Sequence, residues 1–501
     1  MTADPVVVVG LGPVGAALAI GLAQAGVPVV VLERDQSAHA LPRAAHLDDD
    51  ALRTLDALGA ADAIVADGRP INGFRLIDAR GATLLHARKK VVTETGWPLA
   101  LLVHQPTVER ALRTRLAALP AVDVRAGHAV EAVAGDVHGA TVSGTGPDGP
   151  FSIRASHVVG CDGARSRVRE AMGARLVGGR FEQPWLVVDT LLRHAEGAGQ
   201  DLALLQIADP RRPATFVPFP GLRRRWEFRL LPGETEAQMV RPDTVRTLLG
   251  RYVDADAVEI ERAAVYTFHD LVARPWHRGQ LLLAGDAAHQ MPPFLGQGLG
   301  AGLQDAATLA WMLALVWHGT AEPALLDAFE AERRPHVEAV TRLAVRLGRL
   351  VSAGGPAARL RDALLHAALR AGPFRRRLLA IESRLPAVRP VLGRPPRRAR
   401  VPNPLLLDGR ARLDRLAGTG FAVVGVDVDA QAWAHGSDVW TRLGARLVDT
   451  SGPGTEALAQ WAGRSPAVIV VRPDRLALGI YGPDEGARAA ADVRAALHVL
   501  G

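Results

Sequence analysis

The sequence predicts an α/β fold built on a parallel sheet, and two observations carry that prediction. A continuous β-branched run, Val6–Val9, ends at Gly10 and passes through Gly12 and Gly15 into an alanine-rich helix former. A short apolar run leading to an acid and a glycine then recurs twice, at His157–Gly160 before Asp162-Gly163 and at Gln280–Ala284 before Gly285-Asp286. Three such strand ends in one chain point to a single site at the edge of one sheet.

The elements follow in order. At 501 residues, against roughly 100–200 per domain, the chain is long enough for two or three units. Val6–Val9 reads as a buried strand, Gly10 to Gly15 as a turn, Ala16–Ala25 as a helix and Val27–Leu32 as a second buried strand. Gly10-Leu11-Gly12-Pro13-Val14-Gly15 matches GxGxxG between strand and helix, the context in which that spacing binds a dinucleotide. Its glycines let the backbone approach a pyrophosphate, and the helix N-terminus offers amide donors. Glu33 ends the second strand about 20 residues on, where an acid takes ribose hydroxyls. FAD and NAD both suit this pattern.

Between residues 180 and 266, strand-like segments such as Ala214–Phe219 and Arg225–Leu231 alternate with Pro-Gly turns, as in an inserted sheet. Trp226, Phe228 and Leu230 alternate with Arg225, Glu227 and Arg229, which predicts one packed face and one polar face. From Ala301 to about Arg384 the pattern is helical, with breaks expected at Pro335, Gly354–Pro356 and Pro373. Pro386, Pro390, Pro395 and Pro396 mark a boundary. Beyond it, Phe421–Val426 and Ala467–Val471 read as buried strands and Gly454–Ala462 and Ala487–Leu497 as helices. The expected division is 1–179 and 271–385 for a dinucleotide-binding domain with helices, 180–270 for an inserted substrate-binding sheet, 386–402 for a Pro/Arg-rich linker and 403–501 for a smaller unit.

Composition narrows the function classes. Apolar residues make up 48% and charged residues 22%, which argues against a disordered chain. The net charge of +7 comes almost wholly from arginine, the only lysines being Lys89 and Lys90, and clusters such as Arg223–Arg225 and Arg375–Arg377 lack aromatic interleaving. We therefore expect no nucleic-acid partner, only a mild field favouring anionic small molecules. The richest apolar stretches are interrupted by Gln24 and Pro28 and by Gln304 and Asp305, so no membrane span is expected. The N-terminus lacks a basic signal-like region, and a cytoplasmic location is expected. Cys161 is the sole cysteine, which leaves no internal disulfide or thiolate metal site, and no histidine pair has HExxH spacing, so no metal is expected.

Two further segments carry a family resemblance. Cys161-Asp162-Gly163-Ala164-Arg165-Ser166-Arg167-Val168-Arg169 and Ala284-Gly285-Asp286 through Pro292-Pro293-Phe294-Leu295-Gly296-Gln297-Gly298 resemble the DG and GD signatures of the single-component FAD-dependent aromatic hydroxylases of the para-hydroxybenzoate hydroxylase fold. The likeness runs from about residue 5 to 345 and includes Glu332-Arg333-Arg334-Pro335-His336. Pro42-Arg43-Ala44-Ala45-His46, His104-Gln105-Pro106, Arg224-Arg225-Trp226-Glu227-Phe228 and Met291-Pro292-Pro293-Phe294 look like its 3-(3-hydroxyphenyl)propionate hydroxylase branch. That branch carries a C-terminal thioredoxin-like domain, which the tail resembles, including Val471-Arg472-Pro473-Asp474; without a cysteine pair it has no thiol chemistry.

The resemblance implies FAD as cofactor, NADH or NADPH as transient electron donor, and O2 and a phenolic substrate as reactants, oxygen being transferred from a flavin hydroperoxide. It implies flavin contacts at Pro13, Val14, Arg43, Gln105, Asp162, Gly163, Gly285, Asp286, Gly296, Gly298, Leu299 and Gly300, with Arg34 beside the ribose and Val130 near the adenine. Pro292 and Pro293 stiffen the loop at the reacting ring. Gly300 is a departure, since the branch usually has Asn or Cys there. His46 is the candidate proton relay; His104, His269 and His289 read as structural hydrogen-bonders. A monomer or homodimer is expected. The substrate is a hydroxyphenylpropionate-like acid or a larger polyketide-derived phenol. A flavin halogenase lacks its Trp-x-Trp-x-Ile-Pro segment here; a flavin reductase or an FAD-binding scaffold stand as alternatives.

Overall fold

The computed structural model describes residues 4–37, 42–71, 73–88, 92–136, 138–194, 203–370, 385–407, 409–450 and 452–500. Lys89, Lys90, Pro373 and Arg375–Arg377 lie outside them.

The β-branched run Val6–Val9 forms the strand that the sequence predicts, with every residue buried. It pairs in parallel with Val29–Glu33 on one side and His157–Gly160 on the other, in the six-strand order His277–Arg278, Leu281–Leu283, His157–Gly160, Val6–Val9, Val29–Glu33, Val122–Ala126. All three acid-and-glycine strand ends therefore lie at the C-terminal edge of one sheet, where open α/β sheets bind ligands. Helix Pro13–Gln24 packs its small residues against helix Gly298–Trp317; a Cβ on Gly21 would already meet Ala310 at 2.9 Å. That second helix is long and apolar enough to cross a membrane, and 83% of its most apolar stretch is buried within the fold.

The inserted sheet is wider than the 180–270 segment. Its eight strands include Arg175–Leu192, Leu204–Ile207, Ala214–Val217, Arg223–Arg229 and Val258–Arg274, and it also recruits Gly73–Ile77, Thr83–Arg88 and His289–Gln290. Gly73–Ile77 joins by pairing in parallel with Leu204–Ile207, a long-range contact invisible to local periodicity. Trp226 and Phe228 pack as expected, in a cluster with Phe216, Leu186 and Leu249. The opposite face is polar but not solvated: Arg225 and Glu227 are both buried.

Helix Asp327–Val351 runs straight through Pro335, where a break was expected. An interior proline costs about 3 kcal/mol. Burial of Phe329, Val337 and Val340 and the anchoring of Arg333 on Asp305 offset it. The break expected at Gly354–Pro356 falls slightly earlier, at Ser352–Gly354, and Gly355 and Pro356 open helix Gly355–Arg370.

The terminal unit holds a four-stranded sheet in the order Arg446–Asp449, Ala422–Val426, Ala467–Val471, Ala477–Tyr481. The first pair is parallel and the other two antiparallel. Helices Pro453–Ala462 and Gly486–Ala496 accompany it.

Candidate active site

The turn after Val6–Val9 is shaped by two glycines that nothing larger could replace. A Cβ on Gly10, whose φ is +100°, would lie 2.5 Å from the Cys161 carbonyl oxygen, and one on Gly15 would lie 2.0 Å from the Gly10 carbonyl oxygen. Gly12 differs. It caps helix Pro13–Gln24, and a Cβ there would meet nothing within 4 Å because that side opens into a cavity. The Glu33 carboxylate accepts from Leu11 N at 2.7 Å and Asp35 N at 3.0 Å, tying the second strand end to the turn.

The two later strand ends are held by buried charges. Asp162 Oδ2 accepts from Arg167 N at 2.7 Å, while its Oδ1 is buried without a partner among the described residues. Arg169 clamps the segments together, donating to Ala164 O at 2.7 Å and Ala287 O at 3.0 Å. Asp305, fully buried, accepts from Gly285 N at 3.1 Å, His289 Nε2 at 2.6 Å and Arg333 Nε at 2.8 Å. Burial alone would raise its pKa, but His289 and Arg333 hold it below the ordinary carboxylate range. Asp286 opens into the cavity, and desolvation raises its pKa against the pull of His289 and Arg43.

Gln105 begins helix Gln105–Ala117, and its Oε1 accepts from Arg43 N at 2.9 Å and Ala44 N at 2.7 Å. Arg225 holds the same segment from the other side. Its guanidinium donates to Pro42 O at 2.5 Å and Arg43 O at 2.8 Å and pairs with Asp189 at 2.7 Å. The inserted sheet thus fixes Arg43 over the strand ends. His46 Nδ1 lies 3.3 Å from Gly296 O, and Gly296 has φ +65°, so this histidine seats the loop that leads into helix Gly298–Trp317. Of the other histidines, His289 holds Asp305, His269 lies in strand Val258–Arg274 opposite Glu182, and His104 meets Phe219 edge-on at 6.5 Å.

One cavity of about 1020 Å³ gathers these parts. Gly10, Gly12, Pro13, Val14, Glu33, Arg34, Arg43, Gln105, Val130, Asp162, Gly163, Asp286, Gly296, Gly298 and Leu299 line it, with His46 and Pro293. Gly15, Gly285, Gly300 and Pro292 are not among its lining residues. Gly15 and Gly285 serve close packing instead, a Cβ on Gly285 meeting Val14 at 3.0 Å. A Cβ on Gly300 would sit 3.5 Å from Asp48 Oδ1, an ordinary contact, so packing does not demand glycine there. Arg169, Asp189, Arg225, Glu227 and Asp305 act in the site through contacts that no motif spells out. The charged alternation in Arg223–Arg229 was the available signal for two of them. Among the described residues, no group of three or more His, Cys, Asp and Glu is placed to hold a metal.

The open side of Gly12 at a helix N-terminus, the partnerless Asp162 Oδ1 and Asp286 facing the cavity fit a dinucleotide with polyhydroxyl groups. Residues 3–344 match the model of a family described as an FAD binding domain. A 3-(3-hydroxy-phenyl)propionate/3-hydroxycinnamic acid hydroxylase of Burkholderia vietnamiensis is 36% identical over 97% of this chain and 96% of its own length. This chain belongs to the class A FAD-dependent aromatic hydroxylases. A probable NADH-specific resorcinol 4-hydroxylase of Rhodococcus jostii is 34% identical, with 95% and 91% covered. Among solved structures, the anhydrotetracycline hydroxylase OxyS of Streptomyces rimosus superposes over the whole of both chains with a TM-score of 0.81 at 27% identity. Residues 406–496 match a second family, the HcaD C-terminal domain.

Proposed function

We propose that this hydroxylase inserts one oxygen atom from O2 into a phenolic ring, with NADH or NADPH as electron donor. The observation that carries the reading is the continuity of the cavity. The glycine cradle at Gly12, the loop Pro293–Leu299 and the inner face of the inserted sheet at Gln206, Thr215 and Glu227 all line it. A substrate on the sheet face therefore shares one enclosure with a cofactor at the strand ends.

When bound, FAD supplies the redox chemistry and the activation of O2. Gly10, Gly12 and Glu33 would hold its nucleotide half, and Asp162 and Asp286 would accept from its hydroxyls. The first amides of helix Gly298–Trp317 would stabilise negative charge on the reduced ring. Arg225 and Gln105 keep Arg43 at the mouth of the strand ends. Pro293 and Phe294 line the cavity, and buried Phe294 packs on Phe181 and Trp185, excluding water from the reacting edge.

A hydroxyphenylpropionate-like acid is the first substrate class to test, supported by identity to the Burkholderia enzyme across nearly all of both chains. A larger fused phenol is the second, favoured by the superposition on OxyS. We assign the terminal unit to the thioredoxin-like class. Its strand order, one parallel pair followed by two antiparallel strands, supports this, and its role is assembly of the fold. Cytoplasmic location and a monomer or homodimer complete the proposal. Anaerobic reduction of the FAD-loaded protein by NADH and by NADPH, with and without phenols, tests it. Reduction accelerated by a phenol supports the reading, and reduction indifferent to every phenol in the panel supports a flavin reductase.

A further inference from the structure

Glu227 lies mid-strand in Arg223–Arg229, opposite Val187 on one neighbour and Thr215 on the other. The residue is 9% exposed and lines the cavity. Among the described residues, no group donates a hydrogen bond to its carboxyl. The donors around it do not reach it: the Gln206 amide faces the same cavity without donating to Glu227, and Arg229 donates to Ser352 O at 3.0 Å. Arg225 spends Nε, Nη1 and Nη2 on Asp189, Arg43 O and Pro42 O, and the Thr215 hydroxyl donates to Gln206 Oε1 at 3.0 Å. A buried carboxyl without a donor is costly, so the missing donor belongs to whatever fills the cavity.

The chemistry of that donor follows from the surroundings. A substrate carboxylate would meet like charge at Glu227 and find Arg225 already neutralised by Asp189. A neutral hydroxyl meets an open acceptor. Phe74, Val217 and Phe294, which line the same cavity, offer apolar surface to a ring.

We propose that Glu227 accepts the hydrogen bond of the substrate's ring hydroxyl, so that the sheet end of the cavity selects a phenol by its O–H and not by a carboxylate. This rests on the hydroxylase reading for the substrate class. The charged groups facing Glu227 are Arg225 and Arg229, two residues to either side on its own strand, and Asp189 on the adjacent strand, with Arg262 3.9 Å beyond Asp189; strands Leu204–Ile207 and Ala214–Val217 present neutral Gln206 and Thr215. Burial pushes the Glu227 carboxyl up to about 7, with Arg225 pulling it down and Asp189 raising it further, so the acceptor strengthens above neutral pH.

The test is binding, read from the flavin absorbance of the FAD-loaded protein, for a set of phenols and their methyl ethers, which keep the ring and lose the donor. At about pH 8 the wild type is expected to prefer a phenol over its ether by about tenfold or more, and Glu227→Gln to lose about tenfold of that ratio with FAD affinity unchanged. In the wild type alone, the ratio is expected to fall as pH drops to about 5.5, which decides the matter should the variant not fold. An unchanged ratio in Glu227→Gln, a ratio in the wild type that ignores pH, or no binding by any phenol overturns the proposal. Lost FAD affinity with an intact ratio overturns it in favour of the flavin as the donor. Because binding is read without turnover, failure of the hydroxylase reading shows separately as phenol binding without oxygen insertion.

Discussion

Arg472 of the terminal unit grips Glu332 of helix Asp327–Val351 through two hydrogen bonds of 2.8 and 2.9 Å, with both side chains fully buried. Arg472 also holds Asp474, whose carboxylate accepts from Thr308 at 3.1 Å on helix Gly298–Trp317, and stacks over Trp311 at 5.0 Å. Glu332 adjoins Arg333, which anchors Asp305 and through it Gly285 and His289. A chain of buried charges thus runs from the terminal sheet to the GD segment of the site.

Removing one partner of such a pair leaves a buried charge uncompensated, at a cost of about 3–5 kcal/mol. Arg472→Met is therefore expected to lower the melting temperature and to make the 386–402 region susceptible to protease. Thermal denaturation and limited proteolysis check this, and the double variant Arg472→Met, Glu332→Leu is expected to recover part of the loss.

The glycines of the first turn are expected to fail in different ways. Gly15→Ala places a methyl 2.0 Å from a backbone oxygen, so it should destabilise the fold. Gly12→Ala clashes with no protein atom and intrudes only on the cavity. It should melt like the wild type yet bind FAD about tenfold more weakly or worse. Circular dichroism and FAD fluorescence titration separate the two outcomes.

Asp305→Asn is expected to retain the shape and lose the charge that His289 and Arg333 share. With Arg333 buried and its carboxylate gone, stability should fall by about 3 kcal/mol or more. FAD affinity should fall with it, because Gly285 N loses an anchor. Denaturant unfolding of the apo and FAD-loaded forms measures both effects.

Glu227 makes stability depend on pH with a definite sign. Its folded pKa of about 7 lies above the ordinary carboxylate value of 4.5, so the folded state holds a proton that the unfolded state has lost. Its contribution is fully present below 4.5 and is lost as pH rises to about 7, amounting to at most about 3 kcal/mol. Glu227→Gln should therefore gain on the wild type in melting temperature between about pH 5 and pH 8, without ligand.

Much of this architecture was legible because it is local. The strand at Val6–Val9, the strand at His157–Gly160 and both terminal strands appear within a residue of their expected places, and the first helix begins at Pro13, three residues before its expected start at Ala16. The unread parts depend on distant partners. Nothing near Phe74 or Leu76 announces a pairing with Leu204–Ile207, and Pro335 reads as a break until the packing around Val337 and Arg333 is known. In the site, glycines and acids with a motif were visible. Asp189 and Asp305 act through distant partners, so no spacing marks them, and the alternation that puts Arg225 on a polar face does not reveal its partners Asp189 and Pro42, 36 and 183 residues away.

The cavity brings a phenolic ring to flavin chemistry that inserts oxygen. Incubating the FAD-loaded protein with NADH or NADPH, a phenol and isotopically labelled O2, and then weighing the organic product, tests it most directly. A ring-hydroxylated product carrying one labelled oxygen atom is expected. Consumption of NADH or NADPH by a phenol-bound protein that returns the phenol unchanged would contradict it.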